Sequence, residues 1–204
     1  MQRVLVLFAH PGQRYSQTNC VMSRTARTLD DITFVDLYAE YPRFKIDVDK
    51  EQQRLLEHDV IVFQFPIYWY SAPSLLKEWQ DLVLEYGFAY GPGGDKLAGK
   101  LCVLAVTAGA PADSYRENAT NRFPLSTLLS PLQQTIHFCQ MENLPPYVLF
   151  SSLDASSPQR GETHARGYQQ LLTALRDEQF DISAARSIDL LNADNLPLHA
   201  GEDT

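Results

Sequence analysis

The sequence predicts a single α/β domain built on a five-stranded, mostly parallel sheet, and three observations lead to this prediction. Short continuous apolar runs, beginning with residues 4–9, are typical of strands that are buried on both faces. Segments with helical spacing of apolar residues alternate with these runs along the chain. The 204 residues, 45% of them hydrophobic, are enough for one domain with a substantial core.

Each element follows from its local sequence. The predicted strands are residues 4–9, 32–37, 60–65, 101–107 and 147–150, and the predicted helices are residues 17–30, 49–57, 74–86, 125–140 and 160–177. Five glycines in residues 87–100 predict an irregular excursion or a small hairpin. We expect the flavodoxin-like strand order 2-1-3-4-5, which places a ligand at the carboxyl ends of the first and third strands, where the winding reverses.

The domain prediction divides the chain at its last helix. Residues 1–178 form the flavodoxin-like domain, and residues 179–204 form an acidic C-terminal tail. This last segment is polar and has few large apolar residues, so we expect it to be loosely held.

Composition and charge exclude several classes of function. A net charge of −8 and a pI near 5.0 disfavour nucleic acid or an anionic membrane as the main partner, because both require clustered Lys and Arg. The three widely spaced cysteines match no metal-ligand spacing and suggest reduced thiols rather than disulfides. No apolar run is long enough for a signal peptide or a membrane span, so we expect a soluble, intracellular protein without a metal site.

The loop after the first strand, AHPGQRYSQTNC, has the features of a phosphate site. Hydroxyl and amide side chains stand directly before a helix, whose free N–H groups and dipole favour an anion. The candidate residues are His10, Ser16, Gln17, Thr18 and Asn19. The loop has neither the Walker A pattern nor the Gly-x-Gly-x-x-Gly pattern, so it suits a mononucleotide bound without magnesium. The alternative is that Ser16 and Thr18 only cap the helix.

The loop after the third strand, FQFPIYWYSAP, is rich in aromatic residues and contains two prolines. Such a loop at the point where the winding reverses can form a rigid wall against a planar ring, because aromatic side chains give a large contact area at a small cost in entropy. The alternative is that Phe65 and Trp69 fill the core. After the fourth strand, Thr107, Ala108 and Gly109 are small enough to let the backbone approach a ring edge. The three loops together indicate an FMN site.

Four stretches of the sequence resemble the flavodoxin-like NAD(P)H:quinone oxidoreductases. They are AHPGQRYSQTN, LYAEYPRFKIDVDKEQ, FQFPIYWYSAPSLLKEWQDLVLEYGFAYGPGGDKLAGK and VTAG. The resemblance covers about residues 2–175, and the stretch over residues 63–100 is its most specific part. Within this family the chain is most similar to the bacterial ancillary proteins of glutathione-regulated potassium-efflux systems.

The resemblance implies a cytoplasmic homodimer that binds FMN, takes hydride from NADH or NADPH and passes two electrons to quinones. The positions that match the family's phosphate contacts are His10, Ser16, Thr18 and Asn19, and those that match its flavin-facing wall are Pro66, Ile67, Tyr68, Trp69, Thr107 and Gly109. Tyr115 matches an aromatic position near the flavin and is the candidate catalytic residue. The family commonly has Thr-Thr-Gly in the fourth loop, whereas this chain has Thr-Ala-Gly and so lacks one hydroxyl.

Three hypotheses of function remain open from the sequence. The first is a quinone reductase that works by two-electron ping-pong hydride transfer, in which Tyr115 or His137 donates a proton or is only a packing residue. The second is a regulatory subunit that activates a glutathione-gated potassium-efflux antiporter and lies at the inner membrane through that partner. The third is a small flavodoxin-like electron carrier, which the acidic charge would suit.

Overall fold

A parallel sheet forms the centre of the structure, a computed structural model that describes residues 1–12, 17–154 and 158–199. Its strands in these ranges are β1 (Val4–Phe8), β2 (Ile32–Asp36), β3 (Val60–Pro66), β4 (Leu101–Thr107), β5 (Glu142–Asn143) and β6 (Tyr147–Leu149). They follow the order β2-β1-β3-β4-β5, with β6 also paired to β4, so the predicted flavodoxin-like order is confirmed. The predicted fifth strand, residues 147–150, corresponds to β6, and the short strand β5 was not predicted. Pro145 and Pro146, which cannot donate ladder hydrogen bonds, separate the two.

The helices lie on both faces of this sheet. They are α1 (Gln17–Arg27), α2 (Leu37–Glu40), α3 (Val48–Glu57), α4 (Ser74–Val83), α5 (Leu125–Phe138), α6 (Pro158–Arg176) and α7 (Ile182–Ala185). The sequence did not predict the short helices α2 and α7. Their N-cap residues are Asp36 and Asp181, whose carboxylates accept hydrogen bonds from backbone N–H groups of the first turn. Within the described ranges, no helix has the length and apolar character needed to cross a membrane.

The sheet separates two apolar clusters. β1, β3 and β4 are buried at every position, and side chains alternate between the two faces along each strand. Leu5 and Leu7 of β1 belong to the cluster formed with α3, α4 and α5, which we call the α4 face. Val4 and Val6 belong to the cluster formed with α1 and α6, which we call the α1 face.

Residues 179–199, here called the C-terminal strap, are packed against the domain. Phe180 and Leu191 are buried in the α1-face cluster. The backbone of Leu191 accepts a hydrogen bond of 2.9 Å from Val148 and donates one of 2.8 Å to Pro146, which extends the sheet beyond β6. The expectation of a loosely held tail is therefore wrong for these residues: a few apolar side chains suffice when the backbone also pairs with a strand edge. Residues 200–204 lie outside the described ranges.

Candidate functional site

The loops after β1, β3 and β4 meet at the carboxyl edge of the sheet, where the sequence predicts a ligand. The side-chain amide of Asn19 in α1 donates a 2.7 Å hydrogen bond to the hydroxyl of Thr107 at the end of β4. The backbone carbonyl of Thr107 accepts a 2.8 Å hydrogen bond from the N–H of Ile67. The rings of His10 and Tyr68 meet edge to face, with centroids 5.8 Å apart. The structure thus brings together residues from all three predicted loops.

The N-terminus of α1 has the character of an anion site. Thr18 and Asn19 are buried in its first turn, and the described helix has no acidic residue there. The first backbone N–H groups of a helix lack intrahelical partners, and the helix dipole favours a negative charge. Ser16 and the side chain of Gln17 lie outside the described residues. Their predicted phosphate contacts, and the alternative that Ser16 caps the helix, therefore stay predictions.

His10 shapes the beginning of the first loop. Its side chain is almost fully buried, and its Nδ1 accepts a 3.1 Å hydrogen bond from the backbone N–H of Gly12. Burial lowers the pKa of His10 below its ordinary value of 6.5. The ring is therefore neutral at physiological pH and holds the turn through an accepted hydrogen bond rather than through a positive charge.

The loop after β3 contains a tight turn in a strained conformation. The backbones of Tyr68 and Ser71 exchange hydrogen bonds of 2.9 and 3.0 Å, and the two residues between them, Trp69 and Tyr70, have φ values of 46° and 66°. Positive φ at both central positions defines a turn that usually takes Asn-Gly, and for aromatic residues it costs on the order of 1–3 kcal/mol each. Trp69 is nevertheless 93% exposed, and such strain combined with such exposure indicates a binding surface.

The alternative that this stretch only fills the core holds for part of it. Phe65 is completely buried in the α4-face cluster, and Pro66 is buried as the last residue of β3. Ile67 is half-buried, whereas Tyr68 and Trp69 are exposed. The change from core to surface therefore occurs within three residues, and the side chains of the loop become accessible to solvent from Ile67 onwards.

The loop after β4 is held by backbone hydrogen bonds to the end of β6 and to the segment that follows it. The N–H of Ala108 donates to the carbonyl of Leu149 at 2.8 Å, and its carbonyl accepts from the N–H of Ser152 at 3.0 Å. A Cβ atom added to Gly109 would lie 2.9 Å from a methyl carbon of Leu153. In this structure the small residues of the loop therefore make room for the segment after β6.

Tyr115 and His137, the two candidate proton donors, lie in different places. Tyr115 is 9% exposed, and its ring centroid lies 5.5 Å from that of Phe150. Burial raises the pKa of the Tyr115 hydroxyl. His137 is exposed near the end of α5; its carbonyl accepts from the N–H of Gln140, whose own carbonyl accepts from Gly99 just before β4. His137 thus lies at the amino end of the sheet, away from the three loops.

Gln64 is a buried polar residue that the sequence analysis missed. It lies in β3, two residues before Pro66, with its side chain fully buried on the α1 face. Within the described part of the chain, neither the oxygen nor the nitrogen of its amide has a hydrogen-bond partner. A buried amide without partners costs free energy, so Gln64 is a candidate to hydrogen-bond a bound group. The signal in the sequence was a glutamine inside an otherwise apolar strand.

Comparison with known proteins agrees with this geometry. Residues 2–172 match a sequence family described by its flavodoxin-like fold. The chain is 44% identical over 172 residues to the glutathione-regulated potassium-efflux system ancillary protein KefG of Enterobacter sp. (strain 638), covering 84% of this chain and 93% of that protein.

Two solved structures share the fold. One is general stress protein 14 of Treponema denticola in complex with FMN, with 40% identity, a TM-score of 0.81, and coverage of 85% of this chain and 99% of that chain. The other is an NADPH-quinone reductase from P. pentosaceus, with 30% identity, a TM-score of 0.71, and coverage of 84% and 97%. The C-terminal strap lies beyond the part of the chain that matches the family.

Proposed function

We propose that this chain, which belongs to the flavodoxin-like fold family, is an FMN-dependent NAD(P)H:quinone oxidoreductase. The observation that carries the proposal is the strained, exposed turn at Trp69 and Tyr70, which stands where the winding of the sheet reverses. The names of the related proteins support it, since one was crystallised with FMN and another is an NADPH-quinone reductase.

The residues present fit a flavin mononucleotide. The N-terminus of α1, with Thr18 and Asn19 buried in its first turn, suits the phosphate. Gln64 offers a buried amide that is unpartnered within the described residues and can hydrogen-bond a polar group entering the α1 face. When bound there, FMN would supply the hydride chemistry between NADH or NADPH and a quinone.

The protein's part in this reaction is to orient the ring and to exclude water. We assign the wall against the ring to Pro66, Ile67, Tyr68 and Trp69, and the opposite edge to Thr107, Ala108 and Gly109. His10 and Asn19 hold the first loop and α1 in place through the contacts described above. The rigid turn between Tyr68 and Ser71 fixes the wall before the ligand arrives, which lowers the entropic cost of binding.

Tyr115 is the proposed catalytic residue. Because burial raises the pKa of its hydroxyl, Tyr115 keeps its proton at neutral pH and can donate a hydrogen bond to an oxygen of the electron acceptor. Its packing against Phe150 restricts the ring and so holds the hydroxyl in one place. The same packing serves stability, and the two roles are compatible.

A homodimer would explain the exposure of the wall. Trp69 is 93% exposed in one copy of the chain, together with the half-exposed Tyr70 beside it. A bound ring and a second copy of the chain would remove this apolar surface from water. We therefore propose a cytoplasmic homodimer in which the candidate site lies close to the interface.

The test is reduction of a soluble quinone by NADPH with purified protein after incubation with FMN. The expected result is a bound flavin with visible absorption and a turnover well above that of free FMN. Trp69→Ala should weaken FMN binding by about tenfold or more. The control is Tyr86→Ala, which removes a 66% exposed aromatic side chain outside the three loops and should leave FMN binding unchanged. Protein that stays colourless in excess FMN would refute the proposal.

A second candidate function is regulation of a potassium-efflux antiporter. The 44% identity to a potassium-efflux ancillary protein favours it. In this case the protein docks on the cytoplasmic part of the transporter, lies at the inner membrane through that partner, and has little or no reductase activity. Turnover no greater than that of free FMN, together with co-purification with such an antiporter, would favour this function over the first.

A further inference from the structure

A cavity of about 710 Å³ lies beside the candidate site, along the open edge of the sheet. We call it the edge cavity. One wall is formed by α5, another by the connection between β5 and β6, and a third by the C-terminal strap. Its volume lies within the range of about 300–1,000 Å³ that is typical of small-molecule sites.

The strap supplies a large part of the apolar lining. Ile182, Ile188 and Leu190 of the strap line the cavity together with Leu125 of α5 and Leu144 of the β5–β6 connection. These side chains come from three separate parts of the chain, so the cavity exists only when the strap is in place. The strap, and with it this wall of the cavity, lies outside residues 2–172, which match the family.

The strap is fixed by specific packing. The backbone hydrogen bonds of Leu191 with Pro146 and Val148 hold it against β6. On α6, a Cβ atom added to Gly167 would lie 2.6 Å from the Cα of Ala193, so only glycine at this position allows the strap to approach so closely. The third wall is therefore as well defined as the other two.

The edge cavity adjoins the residues assigned to the reaction. Tyr115 and Phe150 both line it, and their rings lie 5.5 Å apart. A ligand whose reactive ring lies at Tyr115 could therefore extend a substituent past Phe150 into the cavity.

The charges at the cavity favour an uncharged occupant. Four charged side chains line it, two of each sign. Arg186 forms a 3.0 Å ion pair with Glu142, and Arg116 pairs with Asp113 in the adjoining 3-10 turn. Because the lining charges balance, the cavity has no excess charge that would attract a charged ligand, whereas an alkyl chain would displace water from the apolar surface.

We propose that the edge cavity binds the uncharged alkyl substituent of the electron acceptor, so that quinones with an alkyl tail are preferred over the bare ring. This inference rests on the proposed quinone reductase function. Burial of each methylene group favours binding about fourfold, so burial of two or three methylenes of a decyl chain predicts a KM at least about tenfold lower than for a methyl-substituted benzoquinone.

The test compares two variants, each with one substitution in α5, at neighbouring positions. Ser126 is exposed and lines the cavity, so Ser126→Trp would fill it from the side of solvent without disturbing the core. Thr127→Trp places the same side chain at the next exposed position, which does not line the cavity, and serves as the control. Steady-state kinetics with decyl- and methyl-substituted benzoquinone give KM and kcat for both variants and for the original chain.

Ser126→Trp should remove the advantage of the decyl quinone by raising its KM about tenfold, with kcat and the KM of the methyl quinone unchanged, while Thr127→Trp should change neither. Equal KM values for the two quinones, or a decyl preference that survives Ser126→Trp, would overturn the inference and leave the reductase proposal intact.

A binding measurement separates the inference from the reaction. Quenching of protein fluorescence by the decyl quinone, without NADPH, reports binding even if no turnover occurs. Stronger quenching by the decyl than by the methyl quinone, lost in Ser126→Trp and kept in Thr127→Trp, would support binding of the alkyl chain in the edge cavity. This result would hold even if the reductase proposal failed. Quenching that is equal for both quinones would overturn it.

Discussion

Glu51 and Gln64 are both completely buried polar side chains, and the structure treats them in opposite ways. Glu51, on the α4 face, accepts hydrogen bonds from the hydroxyl of Tyr41 at 2.6 Å and from the indole of Trp79 at 2.9 Å, and it pairs with Arg54. Gln64, on the α1 face, has no hydrogen-bond partner among the described residues. One face of the sheet thus satisfies its buried polar group, and the other does not.

This difference separates a face whose buried polar group is paired from a face with buried polar groups left unpaired among the described residues. His164 Nε2 and the hydroxyl of Tyr168 are also buried on the side of α6 without partners in the described ranges. Each such group costs stability, because its hydrogen bonds to water are lost and not replaced. We infer that the network around Glu51 stabilises the α4 face, whereas the α1 face accepts the cost of unpaired buried groups next to the proposed FMN site.

Removing the carboxylate of Glu51 should give the largest effect on stability. Glu51→Ala leaves the Tyr41 hydroxyl, the Trp79 indole N–H and Arg54 without their shared partner, so the free energy of unfolding should fall by about 3–5 kcal/mol. Equilibrium unfolding in urea measures it. Glu40→Ala, which removes a partly exposed carboxylate that pairs with the same Arg54, should cost about 1 kcal/mol or less. Equal losses in the two variants would contradict the special role of Glu51.

The α1 face should lose stability in acid through His164. Burial lowers the pKa of this side chain from 6.5 to about 3, so as the pH falls between these values the unfolded chain binds a proton that the folded chain does not. The free energy of unfolding should therefore fall by up to about 1.4 kcal/mol per pH unit in this window. His164→Phe keeps the stacking on Tyr147, whose ring lies 4.2 Å away, and should remove this part of the pH dependence. Identical pH profiles would contradict the prediction.

Replacing Gln64 should separate stability from binding. Gln64→Leu removes an unpartnered buried amide, so the free energy of unfolding of the FMN-free protein should stay the same or rise by up to about 1 kcal/mol. FMN affinity, measured by titration of flavin fluorescence, should fall about tenfold if the amide contacts the bound group. Gln80→Leu, at a buried glutamine on the α4 face, should leave FMN affinity unchanged. If Gln64→Leu lowered the free energy of unfolding and left FMN affinity unchanged, Gln64 would serve the fold rather than the ligand.

Replacing Trp69 should relieve the strain in the turn. Trp69→Gly relieves the positive φ of 46°, so the FMN-free protein should become more stable by about 1 kcal/mol, as followed by thermal unfolding. Its affinity for FMN should fall at the same time, because the flat wall is lost. A variant that is less stable than the original chain would show that the turn is not strained.

The central part of the fold could be predicted from the sequence because β1, β3 and β4 are buried on both faces and so appear as continuous apolar runs. The helices α2 and α7 could not, since four residues are too few to show helical periodicity. Residues 87–100 are irregular, as their glycines predicted.

The candidate site could be predicted only in outline. The aromatic composition of the third loop pointed to a wall, but nothing in the sequence shows that Trp69 takes a positive φ. The hydrogen bonds that commit Ala108 to Leu149 and Ser152 come from residues more than forty positions away, which local patterns do not register. The division of the chain at residue 178 and the assignment of FMN contacts to individual residues remain predictions.

The pairing of Leu191 with the margin of β6 has a consequence for biosynthesis. Until the ribosome has released that residue, the nascent domain presents a bare strand margin formed by Pro146 and Val148, with backbone groups that another chain could pair with. Residue 191, which is made after every strand of the sheet, then shields this margin from self-association, and premature termination before residue 191 should yield aggregates rather than a shorter working protein.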